Sequence, residues 1–414
     1  MKILFVQHLY FLNGSGGTEK ICSFLANGFA KSGHEVIIAT NQNSDGKPMF
    51  ALDKNIVVNN IYDDKVPQKK VKSLYNYKGK NPILWVFFKI KKKYSKLYNT
   101  LIRKRMGGDD SVYKYNLLHR SMQWKSYVDR LQPDLIITMS VSSLLEITYQ
   151  NTINIPIINS VNGRPDYDYS NILGYRSPFE MNLLENSFKE LSAIQIMFDS
   201  YREFLPKAFR GKCCIISNPV PQTLESELVD HSKSKDTYCI IHVGRLDDGC
   251  KQQSIAIDIF SELALHYPNW NLDLWGIGAD EQILADRIKR HKLEDRIFLK
   301  GFTDTPVEKM KNADIFIFPS KYEGFGLALG EAMSAGLPSL GFQNCSGVNE
   351  LIEHGKTGYL AENSLHMKQQ LEQLIQSAKL RARIGLQAHL AMKKYNPEYI
   401  FDSWNNLISD IVIK

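Results

Sequence analysis

The sequence predicts an α/β protein built from two doubly wound parallel sheets that face each other across a cleft. Three observations carry this reading. Short apolar runs alternate along the chain with segments of helical periodicity, which is the pattern of parallel strands covered by helices. Most of these runs are apolar throughout rather than at every second residue, as in strands buried on both faces. The series of strands also breaks once, at a stretch rich in Pro, Ser and charge, and then resumes.

In chain order the first series is KILFVQ, EVIIAT, IVVNNI, DLIITM, PIINSV, AIQIMF and CCIIS. The interruption, PVPQTLESELVDHSKSKD, reads as a linker over 220–236. The second series is YCIIHVG, LDLWG, IFLKG, DIFIFPS and PSLGF. The expected organisation is an N-terminal domain over 1–219, the linker, and a C-terminal domain over 237–396. In sheets of this class ligands bind beyond the carboxyl ends of the strands, so the loops that follow strands are the places to look for chemistry.

Composition sets the outer bounds. The chain has 414 residues, 43% hydrophobic and 23% charged, which suits a soluble globular protein with sizeable cores. No apolar run reaches membrane-spanning length, and even NPILWVFFKI is cut by Lys89. Gln7 and His8 interrupt the N-terminal apolar run, which reads as a first buried strand rather than a signal peptide. The six cysteines show no CxxC spacing, so reduced thiols in the cytoplasm are expected.

The net charge of +7 is an uneven average. Fourteen Lys and Arg and no acid lie between Lys65 and Arg105, which leaves the rest of the chain at −7. Within this region, 83–105 carries apolar residues at 83, 87, 90, 94, 97 and 101 with lysines between them. That is the pattern of an interfacial helix on anionic lipid, or equally of a domain helix that uses the stripe as core. No nucleic-acid-binding motif accompanies the charge, so nucleic acid is not expected as a partner.

Three loops carry candidate chemistry. After DIFIFPS, the loop KYEGFG leads into LALGEAMSA. Glu323 falls in the loop, the backbone of Gly324, Phe325, Gly326 and Leu327 opens a helix, and Glu331 falls about one turn inside it. A helix start favours an anion such as phosphate. Carboxylates suit sugar hydroxyls, so one glutamate for each sugar of a nucleotide sugar is one reading. Two solvated glutamates beside a capped helix is the other. In HVGRLDDGCK, Arg245 and Lys251 follow the first strand of the second series, a fork and a point charge suited to a diphosphate or to plain surface. In NGSGGTEK, Gly14, Gly16 and Gly17 allow close backbone approach after the first strand. The loop is not GxGxxG and no acid ends the second strand, which disfavours a dinucleotide cofactor.

Taken together these segments resemble glycosyltransferase family 4, retaining nucleotide-sugar enzymes of the GT-B fold. GGTE at 16–19 is similar to the family's N-terminal Gly-Gly-x-Glu loop, VGRL with the following Lys to its diphosphate-binding pair, and EGFGLALGE to its E-x7-E motif. SGVNELIEHGKTGYL fits the segment that follows. The resemblance implies catalytic roles for Arg245, Lys251 and Glu323. It implies donor binding by these three with Gly16, Gly17, Gly324, Phe325, Gly326, Leu327 and Glu331. It also implies a C-terminal helix over 397–414 that crosses back to the N-terminal domain. Glu19, Asn162, Arg164 and Asp166 are the candidate acceptor contacts. One departure stands out: many members carry a His after the strand corresponding to PDLIITM, where this chain reads ITMSVSSLLE. Met139, Ser140 and Ser142 occupy that stretch, and His8, His119 and His242 are read as structural.

The activity expected is transfer of a hexose or N-acetylhexosamine from a nucleotide diphosphate sugar to a glycan acceptor, lipid-linked, in cell-surface polysaccharide synthesis. Cytoplasmic placement with peripheral contact at the inner membrane face goes with it. The rivals are a GT-B-fold nucleotide-sugar epimerase and an inactive partner that anchors an assembly complex. Asp166-x-Asp168 has the spacing of a metal-binding pair in unrelated glycosyltransferases. Because Arg245 and Lys251 already supply positive charge, no metal or other cofactor is expected.

Overall fold

In the computed structural model, which describes residues 1–77, 79 and 81–412, thirteen strands form two sheets. The first contains β1 (Lys2–Val6), β2 (Glu35–Thr40), β3 (Val57–Asn60), β4 (Leu135–Thr138), β5 (Ile157–Ser160), β6 (Ala193–Ile196) and β7 (Lys212–Ile215). Their order is β3-β2-β1-β4-β5-β6-β7, every pair parallel. The second contains β8 (Tyr238–Val243), β9 (Trp270–Trp275), β10 (Ile297–Gly301), β11 (Ile315–Phe318), β12 (Ser339–Phe342) and β13 (Tyr359–Ala361). Its order is β10-β9-β8-β11-β12-β13, again parallel.

The continuous apolar runs are central strands because helices cover both faces. β1, β4 and β11 are buried along nearly their whole length, Phe5, Ile137 and Phe316 completely. One face of the first sheet packs with Ile21, Leu25 and Phe29 from the helix Gly17–Lys31. The helix Pro397–Val412 lies on that same face through Ile400, Trp404, Leu407 and Ile408, with Phe401 5.2 Å from Phe29 between ring centroids. The C-terminal residues 413 and 414 of the helix expected over 397–414 lie outside the described residues.

The order of each sheet reverses at one place, between β1 and β4 in the first and between β8 and β11 in the second. Loops leaving adjacent strands in opposite directions open a crevice there. The four loops after β1, β4, β8 and β11 therefore line the two facing crevices, and all the donor-binding candidates fall in or just after three of them. The stretch at 220–236 is not a free tether: the Val220 N–H donates to Tyr395 O (2.8 Å), Thr223 N–H to Ser334 Oγ (3.2 Å) and Val229 N–H to Ala335 O (3.1 Å). These backbone groups are spent on the helices that cover the second sheet. Among the described residues no helix is long and apolar enough to cross a membrane.

The helix Pro82–Met106 matches the stripe read from the sequence, with Asn81 capping its start by accepting from the N–H groups of Ile83 and Leu84. The stripe does not serve as core. Only Ser95 and Asn99 of this helix are buried, while Ile83, Phe87, Ile90, Tyr94, Leu97 and Leu101 face outward.

Candidate active site

Lys251 closes the short helix Asp248–Lys251 after β8, and its Nζ lies 2.5 Å from Glu323 Oε1 in the loop after β11. Both side chains are mostly shielded, 18% and 10% exposed, and the Lys251 ammonium lies 5.4 Å from the Phe318 ring centroid. Burial disfavours the ammonium, but the neighbouring Glu323 carboxylate more than offsets this, so the Lys251 pKa is raised and the lysine is charged at neutral pH. Arg245 stands at the open side, 69% exposed, with Nη2 2.9 Å from Asp247 Oδ2. An exposed pair of this kind is weak, so the fork is free to exchange Asp247 for a phosphate.

The helix Leu327–Ser334 begins at Gly326, whose φ of +83° is a left-handed conformation that glycine adopts without strain. No side chain caps this start, so its first N–H groups are left for an incoming acceptor. Phe325 cannot offer its side chain to a donor. It is buried, stacked on Phe198 of the first half at 5.5 Å and set edge-on to Tyr395 at 5.2 Å. Only its backbone can face the crevice. Glu331, expected one turn inside the helix, is buried and accepts a hydrogen bond from Lys20 Nζ. Lys20 belongs to the helix that follows the Gly-rich loop, so this pair joins the two halves.

In the Gly-rich loop the side chain of Leu327 fills the space beside Gly17, where an added Cβ would lie 3.0 Å from Leu327 Cδ1. Gly16 makes room for Glu19, whose Oε2 would lie 2.5 Å from a Cβ at that position. Glu19, expected as an acceptor contact, is turned into the loop's interior. It is buried, accepts from Gln7 Nε2 at 2.5 Å, and burial pushes its carboxyl pKa up. It braces the loop from inside.

The other acceptor candidates are also engaged. Arg164 grips Asp166 with two bonds, Nε to Oδ1 at 2.7 Å and Nη2 to Oδ2 at 3.0 Å, and reaches Ser346 Oγ of the other half at 3.2 Å. Asn162 donates to Met139 O at 3.1 Å. Asp168 belongs to a separate pair with Arg176 (2.5 Å), which also donates to Ser142 Oγ at 3.0 Å. The Asp166-x-Asp168 spacing thus puts its two carboxylates on two different arginines. Among the described residues no three His, Cys, Asp or Glu side chains form a metal-binding group.

Sequence reasoning missed Lys20, Arg176 and the placement of His8. His8 lies in the loop after β1, its Nδ1 2.9 Å from Ser143 Oγ at the helix start after β4. Its position directly behind the first strand was the available signal, because that loop faces the crevice. His242 does prove structural: it is buried in β8 and donates from Nδ1 to Ile317 O at 3.0 Å. An open depression of about 670 Å³ lies beside β3, lined by Asn60, Gln123 and Arg130, and none of the donor candidates borders it.

Residues 225–390 match the family model for glycosyl transferases group 1. Over 409 residues the chain is 25% identical to an uncharacterized glycosyltransferase of Haemophilus influenzae, covering 96% of this chain and 97% of that one. It is 31% identical to the poly(glycerol-phosphate) alpha-glucosyltransferase of Bacillus subtilis over 38% of this chain and only 24% of the other. Among solved structures, Anabaena HepE in complex with UDP and glucose superposes with a TM-score of 0.71 at 18% identity, covering 99% of each chain. A likeness at that identity shows the fold, which is GT-B. The matched family segment and these relatives support a glycosyltransferase.

Proposed function

We propose that the chain is a retaining glycosyltransferase that moves a hexose or N-acetylhexosamine from a nucleotide diphosphate sugar to a glycan acceptor, lipid-linked, during polysaccharide synthesis. The observation that carries this reading is the convergence, at one crevice of the second sheet, of the Lys251–Glu323 pair, Arg245 and an uncapped helix start. Both a nucleotide-sugar donor and polymer acceptors are consistent with what the relatives are named for.

In this reading the donor diphosphate lies between Arg245, Lys251 and the N–H groups that open the helix Leu327–Ser334. Glu323 takes hydroxyls of the transferred sugar and Glu331 those of the ribose. As the bond from the anomeric carbon to the phosphate oxygen breaks, negative charge grows on the leaving diphosphate, where fixed cations and N–H groups stabilise it without reorganising. The acceptor hydroxyl attacks from the same face, and its proton passes to the departing phosphate oxygen. The positive charge needed is supplied by the chain's own side chains, so activity is expected to survive chelation.

Purified protein incubated with a panel of nucleotide sugars tests this. The expected result is binding of one donor class and acceptor-dependent release of the nucleotide diphosphate, with the α-anomer of the donor giving an α-linked product. Interconversion of the free nucleotide sugar without an acceptor would replace transfer by epimerisation. Binding of no nucleotide sugar would remove the proposal.

A further inference from the structure

The helix Pro82–Met106 packs by a mixed face centred on its buried Ser95 and Asn99, not by its apolar stripe. The residues turned toward the body are Phe88, Lys92, Ser95, Asn99, Ile102 and Met106, three or four apart and so on one face. At its centre Asn99 exchanges two 2.8 Å hydrogen bonds with the backbone of Lys72, and Lys92 donates to Asn76 Oδ1 at 2.6 Å. The apolar stripe Ile83, Phe87, Ile90, Tyr94, Leu97 and Leu101 is 56–77% exposed. At 3.6 residues per turn these six side chains fall within about 80° of arc, centred roughly 140° from the packed face. Val86, 49% exposed, extends the apolar surface at the N-terminal end.

Cations border the stripe on both sides, Lys93 and Lys104 along one edge and Lys91 and Arg105 along the other. The helix contains no Asp or Glu. A second copy of this chain is therefore a poor cover, because two such faces would bring like charges together. A neutral apolar partner would leave the cations without a counterpart. We propose that this face lies in the interface of an anionic lipid bilayer, along about 37 Å of helix, with the stripe at the acyl boundary and the bordering cations among the lipid phosphates. Tyr94 suits that depth, where an aromatic ring has one dry end and one wet end. The inference rests on this helix alone and stands whether or not the sugar-transfer reading does. It does bear on it, since the hairpin turn at Gly107–Gly108 brings Asp110 to Ser177, beside Arg176, with Ser177 Oγ 3.4 Å from Asp110 Oδ1.

Sedimentation of the full chain with vesicles tests the proposal. Vesicles of equal parts phosphatidylcholine and phosphatidylglycerol should carry the protein down, and vesicles of phosphatidylcholine alone should carry little. Each cation near an anionic surface contributes about fivefold to partitioning, so Lys91→Gln, Lys93→Gln and Lys104→Gln together should lower it about a hundredfold. Ile90→Glu with Leu97→Glu should abolish it. All five positions are exposed, so thermal midpoints should match wild type. A wild-type protein that stays in the supernatant with both vesicle types overturns the proposal, as does binding that none of these substitutions weakens. Concentration-dependent dimers in sedimentation velocity, lost on Leu97→Glu, would assign the face to a second copy instead.

Discussion

The Lys251 side chain serves two ends at once. Its ammonium would be unfavourable where it is but for Glu323, and Glu323 would be an uncompensated carboxylate but for Lys251. Removing one partner of a mostly buried pair costs about 3–5 kcal/mol, because the other charge is left without compensation. Removing one transition-state charge contact lowers kcat on the order of 10²-fold. Lys251→Ala should therefore lose both urea stability and turnover, whereas Lys251→Ala with Glu323→Gln should regain stability and not turnover. A double variant no more stable than the single would show that the pair does not stabilise the fold. The two glutamates differ in kind as well. Glu331→Gln should weaken the nucleotide diphosphate and the nucleotide sugar alike, since both carry the ribose. Glu323→Gln should leave affinity for the bare diphosphate near wild type and depress transfer. A hydrogen bond to a charged acceptor is worth roughly 1.5–3 kcal/mol, so each loss should be about ten- to hundredfold, read by calorimetric titration beside initial rates. Equal weakening of diphosphate binding by both variants would break the assignment of one glutamate to each sugar.

At the scale of elements, β8 carries a pH dependence in its core. Burial pushes the His242 pKa down to about 4, from an ordinary value of 6.5. Between these values the unfolded chain binds a proton that the folded chain refuses, so stability from this residue is complete above about pH 6.5 and falls as pH drops toward 4. At pH 5 the loss is about 2 kcal/mol. Urea midpoints of wild type and His242→Gln at pH 7 and pH 5 should show a smaller acid loss in the variant, and an equal loss in both would place the titration elsewhere. The strand itself was legible: the apolar run YCIIHVG announces a strand covered on both faces, as do the runs of β1, β4 and β11. β13, only Tyr359–Ala361, was not, since three residues at a sheet edge leave no pattern. The stripe on the helix Pro82–Met106 was legible as a stripe, but periodicity gives no sense of direction, and the polar pair Ser95 and Asn99 decided which side turned inward. The motif loops could be located because carboxyl ends of strands follow from strand order. The pairs Lys20–Glu331 and Arg176–Asp168 could not, since no local pattern reports a partner chosen by tertiary packing.

Across the whole molecule the two halves meet at the crevice through hydrogen bonds, an ion pair and ring contacts. Tyr201 donates from its hydroxyl to Gly324 O at 2.7 Å, Arg164 reaches Ser346, Lys20 reaches Glu331, and Phe198 stacks on Phe325. Gly324 lies at the middle of this set. A Cβ there would stand 2.0 Å from Asn162 O, with the Asn162 carbonyl carbon at 2.8 Å and Gly163 Cα at 2.9 Å. All three are backbone atoms of the opposite half, so no side chain can turn aside to relieve the clash. Gly324→Ala must therefore move the halves apart by more than an ångström or distort the loop after β11. One core cluster runs through both halves, but the first sheet also has a core on its far face, so the cost should fall on closure more than on the fold. Separation would draw the Gly-rich loop and Lys20 away from Glu331 and Leu327, leaving the nucleotide-diphosphate residues of the second half intact. The expected outcome is a thermal midpoint near wild type, a larger radius of gyration in solution scattering, nearly unchanged binding of the bare nucleotide diphosphate, and transfer reduced on the order of 10²-fold, as for misplacement of reacting groups by about 1 Å. Wild-type transfer together with a wild-type radius would show that contact between the halves at Gly324 has no part in assembling the site.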